Sequence, residues 1–284
     1  MTLYSNETHD EERAFYGVQH AQIKNCTFAG TADGESALKE TSDIIVENCN
    51  FLLRYPFWHT TKGVINSCNM TETCRAAFWY DRELTITNSD LGGIKALREC
   101  HNIRLEECKI NSTEFGWFCH NIAMKNCKLT SEYPFLQCSN MKFDNLHMTA
   151  KYSFQYTQDI TIRNSNLNTK DAFWHSKNVT VYDSIVKGEY LGWYSENLHL
   201  VRCKIIGTQP LCYAKGLILE NCEMINCDLS FENSAVTASV HGEIMSIKNP
   251  LNGSKITADR IGEIILEHPN TQCEIVTLPP CRMA

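Results

Sequence analysis

The stretch NIRLEECKI (102–110), NIAMKNCKL (121–129), NMKFDNLHM (140–148), DITIRNSNL (159–167), NVTVYDSIV (178–186) and NLHLVRCKI (197–205) repeats every nineteen residues without a gap, and GLILENCEM (216–224) continues it. Each block runs turn residue, apolar, any, apolar, any, polar, small, any, apolar. The first two apolar residues alternate with period two, the pattern of a short half-buried strand. The segments are too short for helices. The spacing predicts strands over 103–105, 122–124, 160–162, 179–181 and 198–200.

Turn residues punctuate the blocks. Asn or Asp opens most of them, and a second polar column precedes the small residue: Asn25, Asn48, Ser67, Asn88, Glu107, Asn126, Asn145, Asn164, Asp183, Arg202 and Asn221. Asn and Asp tolerate left-handed backbone and bond their own turns. Stacked Asn side chains can also bond along an axis as a ladder. A coil of three short strands and three turns describes an all-β, parallel β-helix. The rival is a leucine-rich repeat, which needs a helix or equivalent convex segment per repeat. Here the second half of each block is aromatic and strand-like instead.

Earlier copies, QIKNCTF (22–28), IIVENCNF (44–51), GVINSCNM (63–70) and LTITNSDL (84–91), vary in spacing within turns. Residues 1–20 are expected as an N-terminal cap, 21–235 as regular coils, and 236–284 as irregular coils with a C-terminal cap. No linker divides the chain, so a single domain over 1–284 is expected.

Composition narrows the function classes. The net charge is -7 and the basic residues are scattered, which disfavours nucleic acid. No apolar run reaches the length of a membrane span. The opening MTLYSNETHDEER lacks the basic-then-apolar pattern of a signal peptide, so a cytoplasmic location is expected. A reducing compartment keeps thiols free, and the fifteen cysteines follow the repeat. Cys26, Cys49, Cys68, Cys108, Cys127, Cys203 and Cys222 share one column with Ser89, Ser165 and Ser184. Cys100, Cys119 and Cys138 share another with Ser176 and Ser195. A column alternating Cys with Ser wants a small side chain at a tight internal bend. No CxxC pair occurs and His does not recur near these columns, so no metal or other cofactor is expected.

The second half of each block carries the unusual chemistry. The aligned segments include GESALKE (34–40), RYPFWH (54–59), RAAFWY (75–80), IKALRE (94–99), TEFGWF (113–118), KDAFWH (170–175) and EYLGWY (189–194). Trp58, Trp79, Trp117, Trp174 and Trp193, all five tryptophans, fall in one column with Lys39, Arg98 and Gln155. The next holds Glu40, His59, Tyr80, Glu99, Tyr156, His175, Tyr194 and Tyr213. The preceding column is Phe, Leu or Gly, contains nothing polar, and should face inward. The Trp column mixes rings with charges and should face outward or line a groove. Strand alternation supports Phe in and Trp out, but Tyr55, Lys95, Tyr152 and Asp171 are then out of phase, so a bulge or bend must intervene.

Two readings of this face stay open. Aromatic stacks pack the interiors of β-helices. Rings interleaved with charges also suit a sugar, whose apolar face stacks while its edges bond. Lys39/Glu40 and Arg98/Glu99 are matching pairs, with Arg54, His59 and Arg75 on coils between them. Lys170, Asp171, Trp174, His175, Glu189 and Tyr190 form a second cluster. Glu40, His59, Arg98, Glu99, Asp171 and His175 are the candidates for acid–base work on a glycoside. Lys39, Arg54, Trp58, Arg75, Trp79, Tyr80, Trp117, Trp174, Glu189, Trp193 and Tyr194 are the candidate ligand contacts. The competing reading of the charged pairs is a structural ion-pair ladder.

The segments ADGESALKE, RYPFWH, GIKALREC, KDAFWHSKNVTV and GEYLGWYSENL resemble a bacterial family filed as a domain of unknown function and grouped with pectin-lyase-like β-helices. The resemblance covers nearly the whole chain. It implies a right-handed, single-stranded parallel β-helix and supplies no activity. Pectin-lyase-like enzymes act on acidic polysaccharides, an analogy of fold alone. Their Ca²⁺-binding Asp cluster with a catalytic Arg or Lys is not evident here. Two functions follow as expectations: binding or processing of carbohydrate on the aromatic face, acidic oligosaccharides included, or a non-enzymatic scaffold whose aromatic face meets a protein, a second copy of the chain among the options.

Overall fold

The computed structural model describes residues 1–267 and 270–278. The chain divides into two compact units, Met1–Met148 and Thr149–Ala284. Each is a parallel β-helix, and no α-helix occurs among the described residues. Handedness follows the general rule that crossovers between parallel neighbours in one sheet turn right-handed.

In the first unit the repeat becomes strand register. His101–Glu106 pairs in parallel with His120–Lys125, with Ile103 opposite Ile122 and Leu105 opposite Met124. Lys109–Asn111 pairs likewise with Lys128–Thr130. The third, shortest strands are Phe57–Trp58, Phe78–Trp79 and Leu97–Arg98, one residue pair above the next. The second unit repeats the plan. Gln158–Arg163 pairs with Lys177–Tyr182, which pairs with Glu196–Val201. All five predicted strands lie within these elements. Their alternating residues are buried aliphatics such as Ile103, Leu105, Val179 and Val181. Each contributes roughly 1.5–3 kcal/mol on burial.

Residues 1–20, expected as a cap, instead begin a coil of their own. Thr2–Ser5 pairs in parallel with Gln19–Lys24, with Thr2 opposite Ala21, and Thr8–His9 pairs with Thr27–Phe28. The alternation is muted because this end strand is half covered: Leu3 is exposed and Tyr4 half-buried. At the other end, the coils expected as irregular are long strands, Val236–Lys248 and Lys255–Ile265, paired in parallel with one register shift between Val240 and Glu243. Glu274–Thr277 adds to them. Of the expected C-terminal cap, 268–269 and 279–284 lie outside the described residues.

The turn columns are left-handed backbone. Asn25, Asn48, Ser67, Asn88, Glu107, Asn126, Asn145, Asn164, Asp183, Arg202 and Asn221 have φ between 49° and 55°. The block-opening residues do the same, as at Asn102 (60°) and Asn178 (53°). Asn is the L-residue that bears this conformation most easily. The clearest Asn ladder stands on the opening column. Asn121 Nδ2 donates to Asn102 Oδ1 (2.6 Å) and Asn140 to Asn121 (3.3 Å) in the first unit; Asn178 donates to Asp159 and Asn197 to Asn178 (both 3.0 Å) in the second.

The Cys/Ser columns do more than fill space. Cys108 Sγ donates to the carbonyl of Glu106 (3.4 Å) and to that of Ile86 on the previous coil (3.5 Å). Ser184 Oγ donates to Tyr182 O (2.6 Å) and accepts the Ser165 N–H (3.0 Å). Corner carbonyls and amides thus find partners without water, which a buried bend requires. The fourteen described cysteines are free, and all but Cys273 are buried.

Candidate functional site

The bend required by the aromatic columns falls at different residues in different coils. Phe135, Phe154, Phe173 and Leu211 have φ between 58° and 65°, and Gly116 and Gly192 occupy the same position at 74° and 69°. A left-handed residue lets two consecutive side chains point inward. Ala172 and Phe173 are both buried, so Asp171 and Trp174 on either side both face outward. Where Gly replaces the ring, its neighbour fills the core instead: Phe115 and Leu191 are buried. A Cβ on Gly192 would lie 2.9 Å from both Leu198 Cδ2 and Leu211 Cδ2. In the early coils Phe57 and Phe78 are inward on extended backbone, and the left-handed residues are Tyr55 and Arg75.

The Phe column is buried as expected, and the tryptophans are half-buried. In the first unit Trp58 and Trp79 stack at 5.5 Å and 11°, with Tyr55 edge-on to Trp58. Lys39 Nζ sits 4.6 Å above the Trp58 ring. His59 stacks on Tyr80 at 5.1 Å. Arg98 covers Trp117 and Phe118 at 5.3 and 5.2 Å. Such cation–π contacts stabilise by roughly 0.5–1 kcal/mol at partly exposed sites.

The expected acid–base residues of this unit are mostly tied up. Arg98 pairs with Glu99 (3.4 Å) and Glu114 (3.7 Å), the pattern of an ion-pair ladder. Lys39 and Glu40 do not mirror it: Lys39 covers Trp58, and Glu40 accepts a hydrogen bond from Tyr16 (2.9 Å). That bond pushes the Tyr16 phenol above its usual range. Arg54 bonds the Asp33 carbonyl (3.2 Å) and faces Glu35 (3.7 Å). Arg75 is exposed and its backbone turns the chain. Tyr16 and Glu114 are not among the expected site residues: Tyr16 precedes the repeat, and Glu114 stands in the column of Tyr55, Lys95 and Asp171, whose direction the period leaves open.

The second unit has the longer ring row. Tyr156, His175, Tyr194 and Tyr213 stack at 5.0, 5.0 and 4.9 Å with interplanar angles of 13° or less. Tyr156 and Tyr194 are 52% and 43% exposed, so the row is open to solvent. Every residue in this column has a left-handed φ, 52–61° from Glu40 to Tyr213, which sets each ring flat against the one before.

Beside the row lies a cleft of about 290 Å³ lined by Asp171, Trp174, Tyr190, Trp193 and Gln209. Tyr190 and Trp193 meet edge-on at 4.9 Å. Trp193 Nε1 donates to Gln209 O (2.8 Å), which fixes the indole. Trp174 Nε1 and Asp171 Oδ1 are shielded and have no hydrogen-bond partner. Burial pushes the Asp171 carboxyl up; Lys170 opposes this and Glu189 adds to it. Glu189 itself is exposed. Gln209, absent from the expected contacts, joins through the following coil.

Another buried carboxyl is structural. Asp81 replaces the Cys or Ser of an internal column, and its Oδ1 accepts the Thr60 N–H at 2.7 Å. Its Oδ2 has no partner. Complete burial, then the Cys100 thiol, push its pKa well above the carboxylate range. Among the described residues no group of three or more His, Cys, Asp or Glu side chains could hold a metal ion, and no helix is long and apolar enough to cross a membrane.

Several solved structures are similar to this chain. The A-module of the mannuronan C-5 epimerase AlgE6 of Azotobacter vinelandii aligns at 10% identity and TM-score 0.45, covering 98% of this chain and 89% of that one. PfbA, a surface adhesin of Streptococcus pneumoniae, aligns at 14% identity and TM-score 0.29, covering 92% and 69%. A tailspike protein mutant of E. coli bacteriophage HK620, in complex with a hexasaccharide, aligns at 9% identity and TM-score 0.33, covering 92% and 71%. No curated protein sequence matches the chain. The family model described as "Protein of unknown function (DUF3737)" matches residues 2–278, so the repeat, the aromatic columns and the cleft belong to a member of that family.

Proposed function

We propose that the protein binds carbohydrate on its aromatic columns. The observation that supports this most is the open row Tyr156–His175–Tyr194–Tyr213, four rings in register at about 5 Å spacing beside a tryptophan-walled cleft. The stacked rings cover one another's faces, so the row presents a line of ring edges to solvent, while the cleft beside it offers apolar tryptophan and tyrosine walls for a sugar ring and polar groups for its hydroxyls. In the first unit, Lys39 over Trp58 adds a cation suited to acidic sugars. Acid–base processing rests on Asp171. His59 and His175 lie flat on tyrosines, and Arg98 is held between carboxylates.

A glycan array followed by calorimetry on the full chain tests the reading. Binding of at least one glycan class, weakened by Tyr194→Ala and Trp79→Ala in variants that still fold, is the expected result. Absence of binding across neutral and acidic glycans would overturn it. The second reading, a scaffold for a protein partner, draws on the same exposure of Tyr156 and Tyr194. Concentration-dependent self-association abolished by Tyr156→Ala, without glycan binding, would favour it.

A further inference from the structure

We propose that the cleft walled by Trp174, Tyr190 and Trp193 is a subsite for one uncharged pyranose ring, whose neighbouring hydroxyls donate hydrogen bonds to the Asp171 carboxylate. This rests on the carbohydrate reading above and names the sugar class that one site takes. The volume, about 290 Å³, lies at the lower end for small-molecule sites and suits a single ring. The walls are preformed. Trp193 is held by its bond to the Gln209 carbonyl and by edge contacts with Tyr190 at 4.9 Å and Tyr213 at 5.3 Å. A preformed apolar wall reduces the ordering cost of binding.

Asp171 supplies the polar end. Its Oδ1 is shielded from solvent and accepts no hydrogen bond. A desolvated acceptor without a donor is costly, and a pair of adjacent hydroxyls carries two donors for one carboxylate. Charge decides the class of sugar. Glu189 and Asp171 both act on this corner, and Lys170 opposes them. A uronate carboxylate entering the cleft would meet two acidic groups against one cation. A neutral ring meets no such penalty.

Saturation-transfer NMR and calorimetry on the full chain test this with methyl α-D-glucopyranoside, -galactopyranoside and -mannopyranoside against sodium glucuronate and galacturonate. At least one neutral glycoside binds, and its uronate counterpart binds about tenfold or more weakly. Asp171→Asn weakens the neutral glycoside and narrows the gap to the uronate. Trp174→Ala removes binding; Trp174→Phe, which keeps a ring, retains part of it and guards against a folding defect. Equal binding of the neutral glycoside to wild type, Asp171→Asn and Trp174→Ala overturns the subsite and leaves the carbohydrate reading standing. Preference for the uronate overturns the sugar class. If the glycan array is also blank, the broader reading has failed first.

Discussion

Phe173 and Trp174 are consecutive residues with opposite environments: Phe173 is 1% exposed and stacks on Phe154 at 5.2 Å, whereas Trp174 lines the open cleft. The left-handed φ of 65° at Phe173 creates the difference, turning the ring inward directly after the inward Ala172. Phe173→Ala is expected to cost about 3–5 kcal/mol through lost burial and a cavity. Trp174→Ala should cost about 1–2 kcal/mol, because its ring is half-buried and its indole N–H is already unpaired. Denaturant unfolding measures both, with two probes compared because repeat arrays can unfold in stages. Equal costs would make Trp174 a core residue.

Asp81→Ser should stabilise the protein at neutral pH by about 1–3 kcal/mol, since it removes a fully buried carboxyl with an unpaired oxygen and leaves the smaller, uncharged side chain that the same column carries at Ser176 and Ser195. The sign with pH follows from the raised pKa. The folded state holds the proton after the unfolded chain has released it, so the Asp81 contribution to wild-type stability is most favourable below about pH 4 and falls as pH rises toward the raised folded value. The serine variant should lack that decline. Melting temperatures from pH 4 to 8 would show it, and a parallel decline in both proteins would rule Asp81 out as the source.

Native thiol reactivity should be confined. Burial pushes the Cys74, Cys138, Cys212 and Cys227 thiols up to about 12, which keeps them protonated and unreactive. A chromogenic disulfide reagent at pH 8 should modify Cys273 quickly among the described cysteines, and all fifteen should titrate in denaturant without reductant. Blocked thiols in the denatured sample would instead point to cross-links.

Asn178 separates backbone from ladder. It has φ 53°, donates to Asp159 and accepts from Asn197. Asn178→Ala loses both features and should cost about 1–2 kcal/mol or more. Asn178→Gly keeps the left-handed backbone at little cost and loses only the exposed side-chain bonds, so it should cost less. If Gly is the more damaging of the two, the ladder outweighs the turn.

The nineteen-residue period alone determined the strands, the inward rows and the positions of the turns. These are properties that every coil shares, and each is enforced by a local rule: alternation for Ile103 and Leu105, left-handed tolerance for Asn121 and Asn178. The Trp and His/Tyr columns were legible for the same reason. Only the tertiary structure decided where the aromatic strand bends. Ala172 and Phe173 are both acceptable inside, so composition cannot say which carries the left-handed residue. It alone decided that Glu40 meets Tyr16, that Arg98 lies between Glu99 and Glu114, and that Gln209 closes a cleft with Asp171. Arg98 and Glu114 stand in different columns on neighbouring coils, and Asp171 and Gln209 stand in one column two coils apart. Their geometry depends on the bend and on rotamers, which a one-dimensional period does not encode.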